Sequence, residues 1–252
     1  MIRNIFFSPS GTSQQIAEKI AADLEGISES YNLTVYEKRN ITLNEGDLVL
    51  VTCPVYAGRI PPLAISRLRH LKGNGQKAIV IVVYGNRDYD DALLELCDII
   101  SHKGFKIVAA AAFVAQHCIF PEVAKGRPDR LDDDKIHDFT VAMDKVLKKG
   151  TRLDISKVKG NRPYKKPGSV PLHPLTVKSK CTKCGVCVKE CPTQAIPEQN
   201  PLKTDTDICI TCCRCINVCP HDARHLGGIL YKVAGWKFIK DNSERKEPEW
   251  FF

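Results

Sequence analysis

The run "CTKCGVCVKECPTQAI", residues 181–196, places four cysteines within eleven residues and follows the fourth with proline. A second run, "CITCCRCINVCPHDAR", residues 209–224, repeats that CxxCxxCxxxCP spacing at an offset of 28 residues. Nine of the twelve cysteines lie between Cys181 and Cys219, and thiols this dense in a chain read as cytosolic argue for metal over disulfides. A cubane iron-sulfur cluster takes four thiolates; each such run supplies three to one cluster, while its fourth reaches across to the twin. On that rule Cys181, Cys184, Cys187 and Cys219 hold one cluster, and Cys209, Cys212, Cys215 and Cys191 the other. Structural zinc is the competing reading, but it usually takes two separated CxxC pairs. Cys213 fits neither spacing and reads as a spare thiol.

Working outward, 252 residues suffice for one good core and a second small domain, and an apolar content of 43% is that of a globular protein. The longest apolar runs, near Ala78 and Ile107, fall short of the ~20 residues of a membrane span. The N-terminus lacks a signal-peptide pattern, so mature, cytoplasmic sequence is expected. Net charge is +8, and its location is uneven: residues 1–150 carry 19 basic and 19 acidic side chains, whereas 151–180 carry eight basic and only Asp154 acidic. That stretch has four prolines and reads as an extended connector packed along acidic surface or cofactor. It lacks helical amphipathicity and has one aromatic, Tyr164, which argues against nucleic acid and membrane surfaces.

The first 150 residues alternate apolar strand signals with amphipathic helix signals. Strands are expected at Ile2, Leu33 ("LTVYE"), Asp47, Ala78 and Phe105; helices are expected from Ser13, Pro62, Asp88 and Asp133. This predicts an α/β doubly wound parallel sheet covered on both faces, with ligands beyond the carboxyl ends of the strands. The loop "SPSGTS", Ser8–Ser13, offers hydroxyls, a glycine and a helix N-terminus, which suits phosphate. "GNGQKA" at Gly73 matches GxGxxA but sits in a helix-to-strand turn, and no GxxxxGK[ST] is present, so NAD and ATP lose their usual anchors. The loops "CPVYAGRIPP" and "YGNRDYDDAL" pair glycine with tyrosine, as a flat heteroaromatic ring requires.

Residues 174–228 closely resemble a bacterial two-cluster ferredoxin, down to the "CPTQAI" and "CPHDAR" tails, and the resemblance implies a small α+β unit carrying single electrons. Residues 1–150 resemble a flavodoxin: Ser8, Ser10, Gly11 and Ser13 match its T-x-T-G-x-T phosphate loop with serine for threonine. That resemblance implies FMN, its phosphate on Ser8, Ser10, Gly11, Thr12 and Ser13, and its ring between Pro54, Val55, Tyr56, Ala57 and Gly58 and Tyr84, Gly85, Asn86, Arg87 and Tyr89. The whole is similar to the flavodoxin-ferredoxin fusions of anaerobes, the EFR-type ferredoxins, in which "QHCIFPEVAKGRPD" from Gln116 would form a loop over the flavin. There His117 would either donate to flavin or substrate or be a satisfied loop histidine. Residues 151–173 are the expected linker and 229–252 a C-terminal tail, whose Trp250 is expected to pack on the surface. Cys53, Cys97 and Cys118 are core candidates, Cys53 with the alternative of tuning the flavin. Arg59 and Arg87 would either stabilise reduced flavin or form ion pairs.

FMN and two 4Fe-4S clusters together convert between two-electron and one-electron chemistry. The expected function is electron transfer to or from a redox partner protein, a ferredoxin or a flavin-linked oxidoreductase. A flavin-dependent reductase of a small organic substrate, fed by the clusters, is the alternative, and a redox or oxygen sensor the third.

Overall fold

The computed structural model describes residues 1–24, 26–35, 41–168 and 170–252. Strand β1 (Ile2–Phe6) is buried throughout and leads into helix α1 (Thr12–Asp23), which buries Ile16, Ala17, Ile20 and Ala21 at helical spacing. There follow β2 (Ser28–Asn32), β3 (Leu48–Pro54), α2 (Pro62–Leu68), β4 (Lys77–Tyr84), α3 (Ala92–His102), β5 (Lys106–Val114) and α4 (Arg130–Lys149). These five strands pair in parallel in the order β2-β1-β3-β4-β5, that of a flavodoxin-like doubly wound sheet. Alternate residues of each strand feed two apolar clusters, Ile5, Val49, Val51 and Val80 in one, Phe6, Leu50, Ile79 and Ile81 in the other.

One expected strand is misplaced. β2 is Ser28–Asn32, not Leu33–Glu37, and Tyr36 and Glu37 lie outside the described residues. As an edge strand it buries only Tyr31, so its sequence "SESYN" carries no apolar signature, whereas the run after it bends at Thr34 and Val35. Thr34 is buried there because its Oγ1 accepts from the Ser8 N–H at 2.7 Å.

The basic connector lies along the acidic start of α3. Lys159 pairs with Asp88 at 3.2 Å, Lys165 with Asp90 at 2.9 Å and Arg162 with Asp98 at 2.6 Å. Asp91 accepts from the backbone N–H groups of Asn161 (2.8 Å) and Lys165 (2.7 Å), so the contact is partly independent of charge.

Beyond it, β6 (Leu175–Thr176), α5 (Val186–Lys189), α6 (Arg214–Asn217) and β7 (Arg224–His225) form a small α+β unit in which β6 and β7 pair antiparallel. Its two halves share a left-handed backbone at the same 28-residue offset: Lys183 and Thr211, Gly185 and Cys213, Gln194 and Asp222. In the middle pair the first half uses glycine and the second a cysteine, at a cost of ~1 kcal/mol or more.

The tail is part of the first domain. Helix α7 (Ile229–Asp241) packs Tyr231 and Phe238 on Phe120 and leaves Ile229, Leu230, Val233 and Trp236 facing outward. Asn86, at φ 62°, then takes hold of the chain: its side chain donates to the carbonyls of Asn242 (2.9 Å) and Glu244 (2.7 Å) and accepts from the Lys246 N–H at 3.1 Å. Strand β8 (Glu249–Phe251) finally adds to β5 antiparallel, closing that edge, with Trp250 and Phe252 on Phe139.

The two tryptophans should therefore differ in weight. Trp250→Ala is expected to cost about 2 kcal/mol in anaerobic urea denaturation, and Trp236→Ala, 72% exposed, less than ~0.5 kcal/mol. Equal costs would contradict the described packing of β8.

Candidate functional site

The loop after β1 is arranged for an anion. Gly11, in the left-handed region, caps α1 without a side-chain hydrogen bond, and the first turn carries no acidic residue. Ser8 is turned inward, its Oγ accepting from the Gln14 N–H at 2.9 Å. Ser10 and Thr12 share a hydroxyl contact of 3.1 Å. The Ser13 Oγ is buried and has no hydrogen-bond partner among the described residues. An unpartnered hydroxyl at a helix N-terminus whose third N–H is met by Ser8 while the Gly11 cap offers no side chain fits a phosphate.

The loop after β3 is a tight reversal. The backbone groups of Tyr56 and Arg59 bond each other both ways (2.9 and 3.0 Å), with Ala57 and Gly58 at positive φ between them. A Cβ on Gly58 would lie 1.9 Å from the Asp90 carboxylate, so this glycine lets the loops after β3 and β4 touch. The Gly58 carbonyl accepts from the Asp91 N–H at 3.2 Å and the Val55 N–H donates to the Val83 carbonyl at 2.9 Å, so this loop is tied to β4 and to the loop after it.

The tyrosines and arginines expected at the ring are otherwise engaged. Tyr84 and Tyr89 are core residues; the Tyr89 hydroxyl donates to Glu249 at 2.7 Å, and Lys159 stands over its ring. Both belong to the apolar cluster that also holds Leu93, Leu96 and Ile100 of α3. Asn86 spends its side chain on the C-terminal segment, as described above. Arg59 forks onto Glu95 (2.8 and 2.7 Å), and Arg87 pairs with Asp90, so both are ion-pair residues. Cys53 is fully interior and burial pushes its thiol up to about 12, which leaves it protonated and unreactive.

The segment after β5 is well tied. Gln116 and His117 donate from their backbone N–H groups to the carbonyls of Arg127 (3.0 Å) and Val123 (3.1 Å). The His117 Nδ1 accepts from the N–H groups of Ile119 (3.2 Å) and Phe120 (3.1 Å), and its ring packs on Phe120, Phe238 and Gly85. Burial pushes its pKa down to about 4, so the ring is neutral with the proton on Nε2. Cys118 is not a core residue but is half-buried, while the buried Cys213 thiol of the small unit donates to the Thr211 carbonyl at 3.7 Å.

The eight regularly spaced cysteines gather into two sets. One recess is lined by Cys181, Cys184, Cys187 and Cys219, and another by Cys191, Cys209, Cys212 and Cys215, with Cys213 also at its wall. Each crossing cysteine accepts a matching backbone bond, Ala195 N–H to Cys191 at 3.2 Å and Ala223 N–H to Cys219 at 3.3 Å. Buried Arg224 lines the first recess, with its Nε unpartnered, which suits an anionic occupant. Two four-thiol recesses fit two cubanes.

The small unit meets the first domain at the carboxyl ends of its strands. Asn217 donates to the Ser10 carbonyl at 3.1 Å and Arg67 to the Pro192 carbonyl at 3.1 Å. The Tyr56 hydroxyl lies within electrostatic reach of Cys212, Cys118, Cys213 and Cys209 and is held well above the usual phenol range, first by burial.

Comparison with known proteins agrees with this division. Residues 5–91 match the flavodoxin domain family, and residues 175–196 and 202–225 the 4Fe-4S binding domain family. The protein is 31% identical over 68 residues to a polysulfide reductase subunit of Wolinella succinogenes, a match covering 25% of this sequence and 36% of that protein. Similar solved structures include rubredoxin oxygen:oxidoreductase of Desulfovibrio gigas (13% identity, TM-score 0.43, 59% of this chain and 36% of that one). Another is the Fusobacterium nucleatum flavodoxin bound to flavin mononucleotide (14% identity, TM-score 0.40, 57% of this chain and 96% of that one). The matched regions thus span about a third of the length of the reductase subunit and of the D. gigas enzyme. The protein joins an N-terminal flavodoxin domain to a C-terminal 4Fe-4S domain of two motifs; the first implies FMN, the second supports two 4Fe-4S clusters, and together they indicate electron transfer. No helix among the described residues is long and apolar enough to cross a membrane.

The state of His117 is directly measurable. In an NMR titration its imidazole signals should stay at their neutral positions from pH 8 to pH 5, where an exposed histidine titrates near 6.5. A midpoint above pH 6 would show that the ring is not enclosed by Phe120 and Phe238.

Proposed function

We propose that this protein relays electrons between a two-electron flavin and a one-electron partner protein, with the clusters arranged in series. FMN is held with its phosphate on Ser8–Ser13 and its ring against Pro54–Gly58 and the backbone of Gly85–Arg87. Cys191, Cys209, Cys212 and Cys215 hold the cluster nearer the flavin; Cys181, Cys184, Cys187 and Cys219 hold the outer one. The observation that carries this reading is the contact of the small domain with the flavodoxin domain, Asn217 on the Ser10 carbonyl of the phosphate loop and Arg67 on the carbonyl of Pro192, which lines the recess holding Cys191, Cys209, Cys212 and Cys215.

When bound, FMN supplies two-electron chemistry and each cluster one-electron chemistry. The chain's own residues set position and access. Ser13 and the first N–H groups of α1 fix the phosphate; the Tyr56–Arg59 reversal and neutral His117 build walls that offer hydrogen bonds without a mobile charge. Glu190 and Arg214 pair across the two halves of the small domain and hold the recesses in register. Cys184 is exposed, which makes its side of the outer recess the docking face for a ferredoxin or a flavin-linked oxidoreductase.

Anaerobic reductive titration of the cofactor-replete protein tests the reading: bleaching of the flavin and cluster chromophores should consume roughly four electrons. Uptake of about two, with no flavin released on acid treatment, would overturn it. Ser13→Ala is expected to weaken FMN binding about 10-fold, measured by fluorescence recovery of released flavin, with iron content unchanged. Unchanged affinity would remove the phosphate from this loop.

A further inference from the structure

The internal repeat is unequal in its charges. A shift of 28 residues carries Ile196 onto Arg224 and Val186 onto Arg214. Ile196 and Arg214 line the recess of Cys191, Cys209, Cys212 and Cys215; Arg224 and Val186 line that of Cys181, Cys184, Cys187 and Cys219. Each recess therefore has one arginine at its wall, and the two differ in what compensates them. Arg214 is part-exposed and donates from Nε and Nη2 to the Glu190 carboxylate, which offsets its charge. Arg224 is 3% exposed and its partners are neutral: Nη1 donates to the Thr204 hydroxyl at 2.7 Å and Nη2 to the carbonyls of Pro201 and Lys203. Its Nε has no hydrogen-bond partner among the described residues. A buried guanidinium without a carboxylate is costly unless an anion meets it. The other titratable side chains at that wall besides the cysteines, Lys183 and His221, are exposed and screened by solvent.

We infer that Arg224 makes the outer cluster the stronger electron acceptor of the two, so that the first electron to reach the clusters rests at the docking face. This rests on the electron-transfer reading above, which assigns one cluster to each recess. A cubane gains one negative charge with each electron, so a fixed positive charge at its wall stabilises the reduced form. Passage of one electron from the inner to the outer cluster oxidises the first and reduces the second with no proton moved, and Arg224 draws that exchange outward. Exposed Cys184 acts in the same direction, because solvent also stabilises the added charge, whereas Cys212 and Cys215 of the inner recess are buried. The repeat thus places a charge on one side and Ile196 on the other, and the two clusters differ in potential although their ligand spacing is the same.

The test is an anaerobic potentiometric titration of the holoprotein followed by electron paramagnetic resonance, with iron counted per chain. Wild type should show an upper and a lower cluster midpoint. Arg224→Gln, which can still donate to the carbonyls of Pro201 and Lys203 but carries no charge, should shift the reduction equilibrium of the upper midpoint against the electron about tenfold, ~59 mV for one electron, and that of the lower midpoint by less. Arg224→Lys, which keeps the charge, should hold the upper midpoint within about threefold of wild type. An unmoved upper midpoint in Arg224→Gln, a drop confined to the lower midpoint or equal in both, or the same drop in Arg224→Lys would overturn the assignment. Loss of iron from both variants would overturn it too, by making Arg224 a builder of the recess. Wild-type protein without flavin, or with well below about eight irons per chain, would instead overturn the electron-transfer reading.

Discussion

A parallel sheet sends the carboxyl ends of its strands to one side, and in this protein everything chemical is attached there. The turns after β1, β3, β4 and β5 converge on that edge, where the chain leaves the ladder and local bonds such as those of Tyr56 with Arg59 and of Gln116 with Arg127 hold the loops in shape. The small domain docks on the first domain through Asn217, which donates to the Ser10 carbonyl of the loop after β1, and through the Pro192 carbonyl, which accepts from Arg67 of α2. Carriers that exchange electrons must lie close, and a shared edge brings them together without a dedicated interface elsewhere. The arrangement depends on the sheet being buried on both faces, which the two apolar clusters on either side of β1, β3 and β4 accomplish.

Electrostatics fixes the orientation that sheet topology leaves open. The connector carries the excess positive charge, and the start of α3 presents Asp88, Asp90, Asp91 and Asp98 to it. The exposed ion pairs are individually weak. Asp91 is different: although burial opposes its charge, the N–H groups of Lys165 and Asn161 hold its carboxyl below the ordinary range. Backbone donation of this kind determines the path of the connector residue by residue, and Arg59, on Glu95 and the Lys165 carbonyl, joins the same network to the turn after β3.

Much of this was legible in the sequence, for reasons that differ by element. The cysteine runs were readable because cluster ligation is local in each half and the repeat is internal. Strands β1, β3, β4 and β5 were readable because central parallel strands are apolar throughout. β2 was not, since an edge strand needs no such pattern, and the β-branched "LTV" after it mimicked one. Tyr84 and Tyr89 sat where a flavodoxin offers rings, yet burial demanded them for the core. Arg59 and Arg87 had partners in Glu95 and Asp90 that only the fold reveals. The tail was opaque because its sheet partner, Ala110–Ala112, is so distant in sequence.

That last separation bears on how the molecule is made. Strand β8 completes a sheet whose other strands are synthesised long before it, and the clamp at Asn86 waits for residues 242–246. Until the whole small domain has emerged from the ribosome, β5 therefore remains an open, alanine-rich edge, and the N-terminal domain is a nascent sheet without its final border. Pairings of such high contact order form late. The flavin half thus reaches its finished form only when the iron-sulfur half is already present beside it, so maturation of the two is coupled in time as well as in space.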